Sequence, residues 1–312
     1  MKTNRPIFNF HTTATQIVSG LNFSGKRMII TGGAGGIGRE TARALASIGI
    51  DITLAVRDLK AGHRAAGEIS AETGNPNVRA AFLDLADRAS ITAFVNAWDG
   101  PLNALINNAA VMALPELTLT PEGLEMHFAV NHLGHFALAK GLRPALAAGT
   151  TEDYASRIVS VSSSAHFSSP VIFDDLHFTY RHYQPWLAYA QSKTANILFA
   201  VEATRRWAAD GIYATSHTPG YIRTGLQRHL PPDFPEPREP ARRKNVEQGA
   251  ANSCLMVTCP LAEKVGGIYV ADCLPQEVAK TRPADLGGVA PYALNADNAK
   301  RLWEVSEGIL GT

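Results

Sequence analysis

Cysteine is scarce: Cys254, Cys259 and Cys273 are the only three in 312 residues, with no Cys-x-x-Cys pair. That usage indicates neither a disulfide framework nor a zinc site, and it suits a reducing, cytoplasmic setting. Charge of one sign is also lacking. Lys plus Arg number 29 against 28 Asp plus Glu, a formal charge of +1, so no basic excess exists to neutralise a run of phosphates and nucleic acid is not an expected partner. No window approaches the ~18 uninterrupted apolar residues of a spanning helix. The start, MKTNRPIFNF, lacks the apolar run and small-residue cleavage pattern of a signal peptide. What the chain does have is 46% apolar residues, enough for a sizeable core, and a length that fits one large α/β domain or two ordinary ones.

RMIIT at 27–31 stops abruptly at GGAGGIG, a strand followed by a glycine turn. Ile37, Ala42, Ala44 and Leu45 then recur with helical spacing to about Ser47, and Gly49 supplies a stop. The rhythm repeats with a strand at 51–56, a helix to about Thr73 ended by the loop 74–77, a strand at 78–85, a helix around 88–97, a strand at 102–110 and a long helix at 120–147. Strands at 157–162 and 212–220 flank a helix at 187–209, and a last strand at 266–270 precedes a terminal helix at 295–311. Strands apolar on both faces and separated by helices predict a single α/β domain, a doubly wound parallel sheet with helices on both faces. Residues 1–25 read as a polar leader. HLPPDFPEPREPARRKN, at 229–245, reads as an irregular excursion because of its five prolines.

The turn Thr31-Gly32-Gly33-Ala34-Gly35-Gly36-Ile37-Gly38 fits two glycine templates, Gly-x-Gly-x-x-Gly through 33, 35 and 38 and Thr-Gly-x-x-x-Gly-x-Gly through 32, 36 and 38. Either brings unhindered backbone amides against a pyrophosphate, and the helix opening at Gly36 turns its positive end toward that anion. A lone glycine triplet is an ordinary flexible turn, but this one lies between a first strand and a helix, where dinucleotides bind. An NAD site places an acid at the end of the second strand to accept from the ribose 2′-hydroxyl. Here Val56 cannot accept, Arg57 offers a guanidinium fork suited to a 2′-phosphate, and Arg39 could assist from the turn. NADP(H) is the expected cofactor. NAD(H) is the alternative, with Asp58 serving the ribose and Arg57 a solvated surface residue.

Tyr189 and Lys193 stand four apart on a predicted helix, so phenol and ammonium reach one site. The ammonium is expected to pull the phenol down from its ordinary ~10, as acid/base work near neutral pH requires. Such a pair alone is commoner as a solvated helix face, and its context decides. Thr31 to Gly38, Asp84-Leu85, Asn107-Asn108-Ala109-Ala110, Val130-Asn131-His132-Leu133-Gly134-His135-Phe136, Tyr189 with Lys193, and Pro219-Gly220 follow one another at characteristic spacings. In these motifs the chain, from about Lys26 to Val270, resembles the short-chain dehydrogenase/reductase superfamily. AVRD, VNHLGHF, VSSSAH and YAQSKTANILF are similar in particular to retinol-dehydrogenase-like and WW-domain-oxidoreductase-like reductases.

The resemblance implies a Rossmann-type fold and a role for each matched residue. Tyr189 would exchange a proton with the substrate oxygen, Lys193 would hold the nicotinamide ribose and lower the tyrosine pKa, Ser163 would bond the substrate carbonyl or alcohol, and Asn131 would hold a water between Lys193 and solvent. Ser162, Ser163 and Ser164 are consecutive at a strand end, where side chains alternate. Matching V-S-S-x-A-H to Val161 through His166 selects Ser163 and leaves its neighbours as structural alternatives. No Gly-x-Ser-x-Gly elbow is present to make it a nucleophile. The implied cofactor contacts are Gly32, Gly36, Ile37, Gly38, Arg39, Arg57, Asp84, Leu85, Asn107, Asn108, Ala109, Tyr189, Lys193, Pro219, Gly220 and Thr224, the last either at the nicotinamide carboxamide or only as a helix cap. Ala110 stands where glycine is commoner, a change the turn should tolerate. His127, His132 and His135 lie along the long helix, but metal binding would need a further convergent ligand, and none is expected.

Phe167, Phe173, Phe178, Tyr180, Tyr183 and Trp186 fall in the insertion 164–186, where aromatics suit a large apolar substrate or else serve the core or a subunit contact. The resemblance places a substrate-covering lobe or lid at residues 221–250. The whole reads as an NADP(H)-dependent oxidoreductase interconverting a bulky apolar ketone or aldehyde and its alcohol, and the resemblance implies a homodimer or homotetramer joined through its long helices. A dinucleotide-binding sensor or scaffold is a second reading, but it would have no use for the full Tyr189, Lys193, Ser163 and Asn131 set. A nucleotide-sugar epimerase or dehydratase shares Tyr-x-x-x-Lys but needs a larger substrate lobe than this chain has room for.

Overall fold

The computed structural model describes residues 8–230, 243–259 and 264–311. Its strands β1 (Arg27–Thr31), β2 (Asp51–Val56), β3 (Val78–Phe82), β4 (Ala104–Asn107), β5 (Ser156–Val161), β6 (Ile212–His217) and β7 (Tyr269–Ala271) are parallel, and the short β8 (Leu274–Pro275) pairs antiparallel at one edge. The sheet order is β3-β2-β1-β4-β5-β6-β7-β8. The chain works outward from β1 to β3, then crosses back to β4 beside β1. That reversal opens a crevice above the carboxyl ends of β1 and β4, where ligands of doubly wound sheets bind.

Alternation along the strands sorts their side chains between two cores. Met28 and Ile30 join Ile52, Leu54, Val56 and Ile106 under α2 (Gly36–Ala46), α3 (Leu59–Thr73) and α8 (Val246–Thr258). Ile29 and Leu105 join Ile158 and Ile212 under α4 (Arg88–Asn96), α6 (Gly134–Gly149), α7 (Pro185–Trp207) and α9 (Ala296–Leu310). Because both faces are covered, the strands read as continuous apolar runs. No helix among the described residues is long and apolar enough to cross a membrane.

The expected strands over 78–85, 102–110 and 212–220 end earlier, and their last residues leave the sheet as the loops of the crevice. The long helix begins at Met126 rather than at 120, since Pro121 and Gly123 favour a turn and the Glu125 carboxylate caps the N–H groups of His127 and Phe128 at 3.0 and 2.8 Å. It runs as α5 (Met126–Phe128), a π-helical turn (Ala129–Leu133) and α6. Two helices were not foreseen. The leader holds α1 (Ala14–Val18), closed by a capping box between Thr13 and Gln16, and α8 opens on another between Asn245 and Gln248. From Val246 onward the expected lobe is therefore helix, with Ala250 in the core under the sheet. Most of the proline-rich excursion, 231–242, lies outside the described residues.

α9 lies along α7, where Trp303 sits 4.8 Å from Phe136, 5.1 Å from Trp207 and stacked at 6.1 Å on Phe199. A subunit contact through this part of the long helices would meet α9 first.

Candidate active site

The glycine turn is built for close approach. Gly36 adopts φ +54°, a left-handed conformation that a side chain disfavours, and a Cβ on Gly38 would stand 2.5 Å from Asn108 Nδ2 and 2.7 Å from the Gly32 carbonyl oxygen. At Gly35 a Cβ would meet nothing within 4 Å, so the space before the first turn of α2 is open. Exposed backbone at a helix N-terminus beside open space fits a pyrophosphate. Gly38→Ala should therefore abolish dinucleotide binding and lower Tm, which titration of cofactor fluorescence and a thermal melt would check; an unchanged Kd would contradict this geometry.

A hydrogen-bond chain ties the turn to the long helix. Thr31 Oγ1 accepts the N–H groups of Asn108 and Ala109 at 2.9 and 3.0 Å and lies 2.8 Å from His135 Nε2. His135 Nδ1 lies 3.0 Å from the Asn131 carbonyl oxygen, which can only accept. The ring proton is therefore on Nδ1, and Thr31 donates to Nε2. Burial keeps this imidazole neutral, pushing it down to about 4. Asn131, in the π-helical turn, accepts from Val111 N–H at 2.9 Å and donates to the Val111 carbonyl and Ser192 Oγ at 3.0 and 2.9 Å. Both amide hydrogens are thus engaged, and Oδ1 keeps a lone pair that could accept from a water. These bonds hold the loop after β4 against α7. Asn107 Oδ1 is buried without a partner among the described residues.

Tyr189 and Lys193 both lie buried on α7. Ser163 lies close enough to the Tyr189 hydroxyl to pull its pKa downward, and Lys193 Nζ stands 5.5 Å from the tyrosine ring centre. Ser162 Oγ instead donates to the Lys193 carbonyl at 2.7 Å, so alternation at the strand end turns Ser163 toward the tyrosine and Ser162 away. The tyrosine pKa moves opposite to the expected direction. Burial outweighs every favourable neighbour and pushes the phenol up to about 12, against a lesser downward pull from Ser163. Lys193 donates to the Val161 carbonyl at 2.9 Å and is itself pushed down by burial to about 7.

The family model described as short chain dehydrogenase matches residues 26–234. The chain belongs to the short-chain dehydrogenase/reductase superfamily. It is 46% identical over 294 residues to a Streptomyces lividans protein named "Probable oxidoreductase", covering 91% of this chain and 97% of that one. It is 37% identical to human retinol dehydrogenase 11 over 305 residues, covering 94% and 88%. A solved structure from Mycobacterium Paratuberculosis superimposes with a TM-score of 0.75 at 33% identity, covering 97% of this chain and 98% of the other.

In this short-chain dehydrogenase the residues that the motifs matched to the adenine side are differently engaged. Arg57 is exposed and makes no ion pair among the described residues. Asp58 Oδ1 caps α3 at the Ala61 N–H, 3.0 Å away. Arg39, expected to assist from the turn, is engaged with α3. It bonds Glu68 and Glu72 of α3 at 3.1 and 2.6 Å. Asp84 Oδ1 accepts the Ala86 N–H at 2.9 Å, shaping the loop after β3, and Leu85 is buried. Thr224 caps the turn Gly225–His229, yet it also faces Gly36, whose added Cβ would touch its side chain at 3.4 Å, so capping and proximity to the glycine turn coexist. Pro219 and Gly220 follow β6, with Gly220 at φ +92° against Lys244.

Of the six aromatics in the insertion, Trp186 reaches Tyr189, at 5.6 Å between ring centres. Phe167 stacks on His166, Phe173 takes Arg301, Phe178 packs on Arg181 and Tyr183, and Tyr180 is 87% exposed. The apolar surround of Tyr189 is completed by Met112, Ala113, Ala165, Leu226 and Leu230, small or flexible residues that no periodicity flagged. The three helix histidines have separate partners: Glu125 for His127, Ser306 for His132 and Thr31 for His135. A recess of about 460 Å³ bordered by Ser24, Gly49, Asp51, Gly74 and Asn75 lies at the opposite, amino ends of the strands, away from all of these residues.

Proposed function

We propose that this chain is an NADP(H)-dependent reductase of bulky apolar ketones or aldehydes, running in reverse as an alcohol dehydrogenase. The observation that carries the reading is the placement of Tyr189 beside Ser163 and Lys193, set among apolar side chains at the carboxyl ends of the strands. The residues that would hold the dinucleotide are the glycine turn at its pyrophosphate, Arg57 with Asp84 and Leu85 at its adenine end, Asn107, Asn108 and Ala109 along β4, and Lys193, Pro219, Gly220 and Thr224 toward the nicotinamide. When bound, that cofactor supplies or takes up the hydride.

The chain's own residues orient and protonate. Ser163 and Tyr189 point hydroxyls at one substrate oxygen and stabilise the negative charge that develops on it. A phenol held near 12 stays protonated at neutral pH, so Tyr189 enters the reduction as the acid and gives its proton to that oxygen. Met112, Trp186 and Leu226 favour apolar substituents and exclude water. The described part of the expected lobe after β6, with Leu226 and Leu230 beside Tyr189, would cover the substrate.

Arg57, exposed, favours NADP(H) over NAD(H), as does the engagement of Asp58 Oδ1 at the helix cap. Arg57→Ala should weaken NADPH binding by about tenfold or more and leave NADH nearly unchanged, since a charge-assisted phosphate contact is worth about 1.5–3 kcal/mol. Equilibrium titration of both cofactors decides it. Tighter binding of NADH than NADPH by the parent protein would overturn the assignment.

A further inference from the structure

His166 lies three residues past Ser163, fully buried in the short 3-10 turn Ser164–Ser168. Its Nδ1 is 2.8 Å from the Ser163 carbonyl oxygen, and its Nε2 is 3.1 Å from the Ala290 backbone nitrogen. A carbonyl oxygen only accepts and an amide N–H only donates. One neutral tautomer, protonated on Nδ1, therefore satisfies both ends. Burial supports it, pushing the imidazole down to about 4. Phe167 lies against the ring at 4.3 Å and Tyr269 meets it edge-on at 5.0 Å.

The backbone of His166 is as firmly held as its ring. Its carbonyl accepts the Tyr292 hydroxyl at 2.7 Å, and Thr194, the residue after Lys193, donates to the Ser169 carbonyl at 2.6 Å with the His166 carbonyl 3.3 Å away. Val289 and Ala293, on either side of Ala290 and Tyr292, are buried against Ile197 of α7. His166 thus sits where the end of β5, the helix carrying Tyr189 and Lys193, and a segment over a hundred residues downstream meet, its ring bonding the first and the last. On the other side, Ser163 Oγ accepts the Ala165 N–H at 3.1 Å, so carbonyl and side chain of Ser163 are both restrained. A buried polar ring is costly unless its hydrogen bonds are made, and a phenylalanine would fill the same space.

We propose that His166 is a positioning residue for Ser163: its ring, held by the Ala290 amide, donates to the Ser163 carbonyl and so fixes the direction in which Ser163 Oγ faces Tyr189. The proposal rests on the serine's part in the reduction proposed above.

Three substitutions separate the two ends of the ring. In His166→Asn the amide nitrogen can take the place of Nδ1 and donate to Ser163. In His166→Gln the amide oxygen can take the place of Nε2 and accept from Ala290, with nothing offered to Ser163. His166→Phe keeps the ring and loses both bonds. Each is measured for kcat and KM on the carbonyl compound that the parent protein reduces fastest, for NADPH Kd by fluorescence and for Tm, alongside Ser163→Ala and the Ser163→Ala/His166→Phe double variant.

The Gln and Phe variants should lose about tenfold or more in kcat, with KM and NADPH Kd within about threefold, because small displacements of an orienting group act on the reacting geometry. Asn should restore most of that loss. With Ser163 already removed, His166→Phe should cost less than about threefold further, the sign of two residues acting through one. The proposal is overturned by an Asn variant no better than Phe, by a Phe variant with parental kcat, or by losses that multiply fully in the double variant. Parental kcat in Ser163→Ala would instead bring down the serine's role itself.

Discussion

Tyr189→Phe is expected to lower kcat for carbonyl reduction by about 10²- to 10⁴-fold, the range for loss of a general acid, while NADPH binds with parental affinity. The ring itself is retained. Met112, Ala113, Ala165 and Trp186 still enclose it, and Ser163 keeps its bond from the Ala165 N–H, so Tm should barely move. The loss should fall on kcat because the missing hydroxyl acts on charge that appears only as the reaction proceeds. The same phenol sets the pH dependence. With its pKa raised to about 12, the acid form persists through neutral pH and reduction needs no deprotonation, whereas alcohol oxidation needs the phenolate. Oxidation by the parent protein should therefore rise by nearly one log unit per pH unit between about pH 7 and 9. A Phe variant within threefold of parental kcat, or a flat oxidation profile, would contradict this role.

Lys193→Met should inactivate the enzyme and at the same time raise its Tm near neutral pH. The Nζ is buried and its pKa falls from an ordinary 10.5 to about 7. Below pH 7 the lysine is protonated folded and unfolded, and the fold bears the whole cost of burying the charge. Between 7 and 10.5 the unfolded chain holds a proton that the folded chain has released, so this group makes stability rise with pH. The penalty is gone above that range. Methionine fills the space without it, which is worth on the order of a few kcal/mol at pH 7. The Val161 carbonyl is not orphaned, because Asn196 Nδ2 also donates to it at 3.2 Å. The parent melting curve should gain stability from pH 7 toward 10, and the Met variant should lose that part of the gain. A lower Tm in Lys193→Met would show that the ammonium stabilises the fold; retained turnover would remove it from the site.

The strands and the glycine turn were legible because they depend on local sequence. A strand buried on both faces, such as β1, is a short apolar run, and Gly36 and Gly38 answer to backbone geometry that few other residues allow. Helices α1 and α8 left weaker marks. Their capping boxes, Thr13 with Gln16 and Asn245 with Gln248, were in the sequence, but α1 is a single turn and α8 is small-residue and apolar without a one-sided stripe. The ion pairs of Arg39 join residues 29 and 33 positions apart, and the rise of the Tyr189 pKa comes from burial. Both are tertiary facts. For the same reason the insertion's aromatics could be recognised as a group, but not divided into Trp186 near the tyrosine and the others packed elsewhere.

The most direct test of the whole account is turnover by the parent protein. NADPH absorbance is followed while aryl ketones, steroid-sized ketones and retinoid-like aldehydes are offered, with small polar carbonyl compounds for comparison. Carbonyl-dependent oxidation of NADPH, faster for the bulky apolar members and lost in Tyr189→Phe, is the predicted result. NADPH that binds yet is never oxidised by any of them, or oxidation that persists in Tyr189→Phe, would contradict it.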